Sequence, residues 1–466
     1  MQIFDTLRNT KIELEFSDKI RIYLCGVTVY DDAHIGHART IIVFDVLRRF
    51  LESQYIDLNI PVEFIQNFTD VDDKIIDRAQ QEKISPLELA AKYTKNYFDD
   101  FDGLNVKRAT IYPKATEHIE DMQNLISELV DKKYAYVTKN GVYFSVSKFT
   151  EYGKLSKKKI DDLVSGARVE IDEEKNNPID FALWKFSESE PSWDSPWGKG
   201  RPGWHIECSA MSLKYLGDGF EIHGGGRDLI FPHHENEIAQ SESSTSKQFA
   251  KIWMHVGMIT INGEKMSKSL GNVKTVNRVL ENWGPNIIRL FCLSGHYSKP
   301  IDYSEKFLKE NVIKLRQIES CYYELRFAKG TGANEDIEKL VIRCKNDFNS
   351  ALNDDFNTPL ALTIFYKLIK EVNSLAAEEK ITETISKLIL PEFEKMMDVL
   401  GIQIIKVSDD EENEIKRMIK KRDECREQKN FEEADNIRMQ IAKKNIVFAD
   451  HKNRTIWIKQ EKIKAE

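Results

Sequence analysis

Apolar and polar positions alternate in short blocks along the first hundred residues. A strand-like apolar run at residues 22–24 precedes a helical apolar pattern over residues 41–47, and residues 62–65 form a further candidate strand. Strands that alternate with helices are typical of a parallel sheet with helical crossovers. We therefore predict that residues 1–110 form the first half of a parallel sheet of the nucleotide-binding type, and that residues 204–260 complete it.

The segment between these two halves has a different pattern. A helical pattern runs from Thr116 to Val130, and a strand-like run follows at residues 141–146. Neither element continues the alternation on either side of it. Residues 111–203 are therefore predicted to be a domain inserted into the sheet.

Past the sheet the chain becomes mostly helical. Residues 261–304 connect the sheet to residues 305–405, which are helix-rich and predict a helical bundle. Residues 406–466 combine a charged helical pattern, which runs through Arg422 to Arg438, with two short apolar runs near the end. This combination predicts a small α+β domain.

Composition adds the general class. The chain has 466 residues, 41% hydrophobic and 31% charged, which is ordinary for a globular protein of several domains. It contains no apolar run long enough to cross a bilayer and begins with no export signal. The six cysteines are scattered, unlike a disulfide framework. We therefore expect a cytoplasmic protein with no membrane partner.

The net charge of −8 is unusual for a protein that binds RNA, but charge is unevenly distributed. Residues 414–466 contain 15 Lys or Arg and 10 Asp or Glu, and Lys157, Lys158 and Lys159 form a second basic run. Local patches matter more for phosphate contacts than total charge does. A solvated helical surface explains the same excess equally well, so both interpretations stay open.

Two short motifs contain the candidate catalytic groups. Residues 34–37 read His-Ile-Gly-His before a helical pattern, and residues 265–269 read Lys-Met-Ser-Lys-Ser. A helix N-terminus after a glycine turn binds anions because its free N–H groups point outward. Imidazole and ammonium groups that converge there would stabilise charge developing at the α-phosphate of ATP. Singly, each motif is also explained as helix-start histidines or a solvated loop; only the pair in this order is specific.

The pair resembles the HIGH and KMSKS signatures of class I aminoacyl-tRNA synthetases, and the surrounding residues resemble the cysteinyl-tRNA synthetase family along nearly the whole chain. Residues 67–74 and 353–359 match further signatures of that family. The resemblance implies an α/β fold, with a Rossmann-type parallel-sheet catalytic domain split by an insertion, then a helical bundle and a small C-terminal α+β domain. It implies that residues 261–304 contain the KMSKS loop and contact the tRNA stem, and that residues 406–466 bind the anticodon.

Four residues form a candidate metal site. An i,i+4 spacing on a helix that begins at Pro232 would put His233 and Glu237 on one face, while Cys25 and Cys208 lie far away in the sequence. Two thiolates, one imidazole and one carboxylate make a plausible Zn²⁺ set. A lone cysteine at a strand end is more often a small core residue. The resemblance implies that all four are the ligands of one Zn²⁺ per chain.

Zinc would serve selectivity. Cysteine and serine are near-isosteres that a pocket separates poorly by shape. A bound Zn²⁺ prefers the thiolate of cysteine because coordination lowers the thiol pKa and sulfur suits this metal. In the resembled family, this ligation is taken to make an editing domain unnecessary.

The resemblance also implies the other site residues. The catalytic residues would be His34, His37, Lys265 and Lys268, and ATP would bind to His34, Gly36, His37, Lys265, Ser267 and Lys268 with Mg²⁺. The cysteine pocket would be formed by Gly26, Thr28, Trp204 and Asp228, with Asp228 on the ammonium group. For His205, His223 and His234 we expect a structural role or one beside the metal ligands.

We therefore expect a monomeric cysteine–tRNA ligase that activates L-cysteine with ATP and transfers it to the terminal adenosine of tRNA(Cys). One alternative is a tRNA-independent cysteine ligase of similar core that acts on a small-molecule amine. The basic C-terminal segment argues against it. A degenerate synthetase retained for RNA binding would have lost KMSKS or a zinc ligand, and none is lost.

Overall fold

The computed structural model describes residues 1–159, 174–266, 270–330, 332, 335–451 and 455–465, without the side chains of Lys265 and Glu335. The chain forms two compact units. The first unit contains Met1–Val276, His296–Asp302 and Asn353–Phe356, and the second contains Asn277–Gly295, Tyr303–Leu352 and Asn357–Glu466. The division into five segments stays a prediction.

A four-stranded parallel sheet is the centre of the first unit. In spatial order its strands are Ala250–Val256, Phe220–Gly226, Ile20–Thr28 and Val62–Thr69. All three neighbouring pairs are parallel. Most side chains of these strands are buried, as expected for a parallel sheet covered on both faces. The predicted α/β fold with a parallel sheet is confirmed.

The strand Ile20–Thr28 is interrupted by a bulge at the point where it reaches the site. Its register against Val62–Thr69 shifts between Leu24 and Val27. A Cβ on Gly26 would lie 1.6 Å from the carbonyl oxygen of Asn67, so only glycine fits this close approach of two backbones. The Gly26 N–H instead donates to Oδ1 of Asn67 at 2.8 Å. The bulge therefore determines the backbone position of Cys25.

Helices and smaller sheets surround this sheet. Among the described residues, the α-helices of the first unit are Ile35–Tyr55, Asp73–Glu82, Pro86–Gly103, Ile119–Asp131, Trp204–Leu216 and Glu235–Thr245. An antiparallel sheet contains Ala135–Val137, Gly141–Phe144, Phe181–Phe186 and Gly200–Pro202 in that order. The short strands are Gln2–Asp5, Thr10–Glu13, Ile259–Ile261, Glu264–Lys265 and Ile301–Tyr303.

The second unit is helical with a terminal β-hairpin. Its helices are Glu305–Arg326, Glu335–Asn353, Thr358–Ala377, Glu383–Leu400, Asp409–Glu427 and Phe431–Ala442, and Val276–Leu293 leads into it. The strands Ile446–Asp450 and Thr455–Lys459 pair antiparallel. The helix-rich segment and the small α+β end are confirmed. No helix among the described residues is both long and apolar enough to cross a bilayer.

Two helix boundaries differ from the predicted pattern. The charged pattern from Arg422 to Arg438 is not one helix: Lys429 adopts a left-handed φ of 58°, and Asn430 caps a new helix by accepting from the Glu433 N–H. The expected helix start at Pro232 is also wrong. A wider helical turn over Ile230–His234 comes first, and the regular helix begins at Glu235.

Candidate active site and metal centre

A cavity of about 430 Å³ opens at the carboxyl ends of the central strands. Its lining includes Cys25 and Thr28 from one strand, Gly226 from the next and Val256 from the edge strand. This is where doubly wound sheets bind ligands, because loops diverge there and leave a crevice. The first candidate motif and the candidate metal ligand Cys25 thus lie on one cavity.

His34 and His37 form a reciprocal cap at the start of the helix Ile35–Tyr55. Nδ1 of His34 accepts from the His37 N–H, and Nδ1 of His37 accepts from the His34 N–H, both at 3.3 Å. The rings stack with centroids 3.7 Å apart. Because each Nδ1 accepts a hydrogen bond, each neutral ring has its proton on Nε2. Both side chains line the cavity as potential donors to an anion.

The second motif approaches the first. The Ile35 N–H donates to the carbonyl of Lys274 at 2.9 Å, and the Val276 N–H donates to that of Ala33 at 2.8 Å. Met266 lines the cavity, and its Cε would lie 3.4 Å from a Cβ on Gly36. The side chain of Lys265 and the residues Ser267 and Lys268 lie outside the described residues. Their proposed contacts with ATP stay predictions.

The four candidate metal ligands meet in one buried cluster. Every pair among the ligand atoms of Cys25, Cys208, His233 and Glu237 lies within 4.8 Å. The Sγ atoms of the two cysteines are 3.6 Å apart, Sγ of Cys25 is 3.3 Å from Oε1 of Glu237, and Nε2 of His233 is 3.0 Å from the same oxygen. All four residues are buried. One strand, two helices and the turn between Ile230 and His234 thus supply the four donors.

The electrostatics of the cluster fit a divalent cation. Burial raises the pKa of both the Cys25 and the Cys208 thiols, and burial lowers the pKa of His233 to about 3, so that its imidazole is neutral. Burial alone would raise the pKa of the Glu237 carboxyl, but the neighbouring His223, together with hydrogen bonds from His223 and Cys25, outweighs it and holds that pKa below its usual value. A bound cation would replace the thiol protons and supply the positive charge that this donor set lacks.

Further histidines surround these ligands. His205 Nδ1 lies 2.9 Å from His233 Nδ1, which leaves Nε2 of His233 directed at the cluster. His223 and His234 form a second, overlapping set with Cys25 and Glu237 in which all ligand atoms also lie within 4.8 Å of one another. Nε2 of His234 faces Oε1 of Glu237 at 3.9 Å and is buried without a hydrogen-bond partner, as expected where an ion belongs.

Sequence reasoning did not identify this second set. It assigned His223 and His234 to roles beside the metal ligands, and that assignment stays a prediction. The available signal was the concentration of six of the ten histidines in residues 34–37 and 205–234. That signal could not show which histidines are metal ligands and which only lie beside them. His223 and Glu237 are separated by the end of a strand and two turns, so their spacing in the sequence does not indicate that they meet.

The residues expected in the cysteine pocket all line the cavity. Gly26 and Thr28 lie on the bulged strand end, and Trp204 stacks on His233 with ring centroids 4.2 Å apart. Asp228 is exposed and follows the strand Phe220–Gly226. The lining of the cavity therefore includes Cys25 of the candidate metal set, the carboxylate of Asp228 and the two helix-capping histidines. Lys74, which sequence reasoning missed, lines it too.

Two sequence families match the chain. The family described as "tRNA synthetases class I (C) catalytic domain" matches residues 12–313, and the family described as "DALR domain" matches residues 347–404. A cysteine–tRNA ligase of Thermodesulfovibrio yellowstonii is 47% identical over 98% of this chain and 99% of its own length. A cysteine–tRNA ligase of Caldicellulosiruptor saccharolyticus is 48% identical over 97% of this chain and 98% of its own length. One from Aquifex aeolicus is 44% identical over 99% of both.

Solved structures share the fold at low sequence identity. Mycobacterium tuberculosis methionyl-tRNA synthetase, solved with methionyl-adenylate, has a TM-score of 0.62 at 14% identity over 82% of this chain and 90% of that chain. The LeuRS of the Agrobacterium radiobacter K84 LeuRS–tRNA–LeuAMS complex has a TM-score of 0.60 at 10% identity, over 82% of this chain and 84% of that chain. These similarities concern the fold alone.

Proposed function

The chain belongs to the cysteine–tRNA ligases, whose catalytic domain is that of the class I tRNA synthetases, and we propose that it activates L-cysteine with ATP and transfers it to tRNA(Cys). The observation that best supports this function is the joint position of two features. Cys25, which clusters with Cys208, His233 and Glu237, lines the same cavity as His34 and His37. A thiol-specific site and a phosphate-binding helix end are both needed for this reaction.

Zinc is the metal that we propose for the cluster. The donors are two thiols, one imidazole and one carboxylate, a mixture that suits Zn²⁺ better than hard, oxygen-preferring cations. When bound, Zn²⁺ would take the substrate thiol as a thiolate, which serine cannot match. The chain contributes the shape of the site: the Gly26 bulge orients Cys25, and His205 fixes the ring of His233 through Nδ1.

The activation step needs positioning and charge stabilisation. A carboxylate oxygen of cysteine attacks the α-phosphorus of ATP, and the bond from that phosphorus to the bridging oxygen breaks, releasing pyrophosphate with its Mg²⁺. The Nε2–H groups of His34 and His37 donate to phosphate oxygens as negative charge builds there. Lys265 and Lys268 would neutralise the negative charge of the pyrophosphate. Gly36 and Ser267 would contact the ATP beside them. No protein nucleophile is required.

The cysteine itself is held between the metal and the phosphate site. Asp228 pairs with its ammonium group, and Gly26 and Thr28 leave room beside the strand end for its backbone. Trp204 covers the imidazole of His233 and closes the apolar side of the pocket. The thiol, ammonium and carboxylate of one small substrate are thereby fixed at three points, which is what an in-line attack requires.

Transfer to tRNA completes the proposal. The terminal ribose hydroxyl attacks the carbonyl carbon of cysteinyl-adenylate, and AMP leaves. The match of relatives over 97–99% of this chain supports tRNA as the acceptor rather than a small-molecule amine. Residues 406–466 would bind the anticodon. We expect the protein to be cytoplasmic, because that compartment holds its substrates, and to be a monomer.

Charging of tRNA tests this function directly. We expect the purified chain with Zn²⁺ to attach labelled cysteine to a tRNA(Cys) transcript and not to a transcript with an altered anticodon, and serine to remain uncharged. Cysteine-dependent ATP consumption with no charging of any tRNA, but with acylation of a small amine, would contradict the proposal.

A further inference from the structure

Arg39 is a fully buried arginine on the helix that begins with the two capping histidines. It is 0% exposed and lies five positions after His34. Its Nη1 donates to the carbonyls of Gly257 at 2.8 Å and Met258 at 3.1 Å. Its Nη2 donates to those of His296 at 3.1 Å and Lys299 at 2.6 Å. One guanidinium thus joins the helix to two distant backbone segments.

The first of these segments is a wall of the cavity. Val256, Gly257, Met258 and Ile259 all line it, directly after the edge strand of the central sheet. The same segment leads through the short strands Ile259–Ile261 and Glu264–Lys265 to the second motif. Whatever fixes the Gly257 and Met258 carbonyls therefore fixes both the cavity wall and the origin of the KMSKS segment.

The second segment supports the first from behind. The Gly257 N–H donates to the Tyr297 carbonyl at 2.7 Å, and a Cβ on Gly257 would lie 2.3 Å from the Lys299 carbonyl oxygen. The Tyr297 hydroxyl in turn donates to Asp355 at 2.8 Å. The two segments are thus in backbone contact, and the guanidinium of Arg39 lies where their carbonyls converge.

We propose that Arg39 is a positioning residue for ATP: it sets the distance between the cavity wall at residues 256–259 and the phosphate-binding histidines on its own helix. The inference rests on the proposed function in taking the ligand to be ATP. A nucleotide spans several groups at once, and a wall displaced by about 1 Å is enough to lower the rate of a positioned reaction a hundredfold. Cysteine contacts the metal side of the cavity and depends on Arg39 much less.

Arginine is required at this position for geometric reasons. The planar fork presents donors on both Nη atoms in fixed directions, which matches two pairs of carbonyls. A lysine offers three donors from one point and cannot reach both segments in the same way. Arg39→Lys therefore keeps the buried charge but only part of the link, and Arg39→Met loses both.

Arg49 provides a matched control. It is a buried arginine on the same helix, its Nε donates to Asp45 at 2.9 Å and its Nη2 donates to the Asn105 carbonyl at 2.8 Å. It does not line the cavity. Arg49→Met should therefore lower thermal stability as Arg39→Met does, without touching the wall.

The test compares KM values in ATP–pyrophosphate exchange and ATP affinity by calorimetry. We expect Arg39→Met to raise the KM and Kd for ATP about tenfold or more and to leave the KM for cysteine within about twofold. Arg39→Lys should be intermediate, and Arg49→Met should resemble the wild type. The lysine variant and calorimetry keep the test decisive if Arg39→Met folds poorly.

An equal rise in both KM values for either Arg39 variant, or a fall in melting temperature with the ATP Kd unchanged, would overturn the inference and reduce Arg39 to a stabilising residue. Failure of the proposed function has a different signature. In that case the wild type itself shows no cysteine-dependent exchange, while its ATP affinity can still be compared with that of the Arg39 variants.

Discussion

Sγ of Cys25 lies 3.3 Å from Oε1 of Glu237, although 212 positions separate the two residues in the sequence. The contact exists because a bulged strand end and the first turn of a helix meet below one cavity. Two buried acidic groups at this distance repel each other once both are ionised, unless a cation lies between them.

Removal of one thiol should release the metal. We expect Cys208→Ser to lower Zn²⁺ affinity at least about tenfold, since a hydroxyl is a much poorer zinc ligand than a thiolate. Metal content after dialysis against a weak chelator measures this. Cys425→Ser is the control, because Cys425 is buried outside the candidate metal sets. Equal zinc content in the two variants would exclude Cys208 as a ligand.

The two roles of His34 can be separated. His34→Asn keeps a side chain that caps helices well, whereas His34→Ala loses the cap and costs about 1 kcal/mol of unfolding free energy. Both variants lose the Nε2 donor. We therefore expect both to reduce the rate of cysteinyl-adenylate formation about a hundredfold or more, while only His34→Ala lowers the melting temperature. A fully active His34→Asn would mean that His34 serves the helix alone.

Asp228 should determine the affinity for cysteine. Asp228→Asn removes the charge that we assign to the substrate ammonium, and a charge-assisted hydrogen bond of this kind corresponds to about tenfold or more in affinity. The KM for cysteine in pyrophosphate exchange should rise and the KM for ATP should not. Asp218→Asn, at a partly exposed ion pair with Lys247, is the control. A change confined to ATP would place Asp228 on the nucleotide instead.

A buried carboxyl in the second unit should make stability depend on pH. Burial raises the pKa of Glu461 to about 7, with Glu319 adding to the rise and Asn286 and Arg316 opposing it. Because the folded pKa exceeds the unfolded one, the folded state binds the proton more tightly. The free energy of unfolding should therefore fall as pH rises from the unfolded pKa through the folded one, and then level off.

Glu461→Gln tests that dependence. Its amide oxygen can still accept from Asn286 Nδ2, which donates to Glu461 at 2.6 Å. We expect the variant to be more stable than the wild type above neutral pH, by an amount on the order of 2 kcal/mol, and similar to it in acid. Chemical denaturation across the pH range measures this. Glu281→Gln, at an exposed pair with Lys464, should not change the dependence of stability on pH. A parallel profile for Glu461→Gln would contradict the assignment.

The sequence predicted periodic features well and long-range partners poorly. The alternation around residues 22–24 and 62–65 was enough to predict the parallel sheet, because strand and helix periods are local properties. The approach of Cys25 to Cys208 depends on tertiary contacts, and only the family resemblance suggested it. The four carbonyls around Arg39 belong to backbone that any residue provides, so no sequence pattern could reveal that site. The helix break at Lys429 was hidden because a single left-handed residue does not disturb a charged pattern.

The most direct test of the account is ATP–pyrophosphate exchange with cysteine and with serine, on the wild type and on Cys208→Ser, with zinc measured on the same samples. We expect exchange with cysteine and not with serine in a wild type that contains one Zn²⁺ per chain. In Cys208→Ser, we expect the exchange, or the discrimination between cysteine and serine, to be lost together with the metal. Absence of cysteine-dependent exchange at full zinc occupancy, or undiminished selectivity in a zinc-free variant, would contradict the proposed role of the cluster.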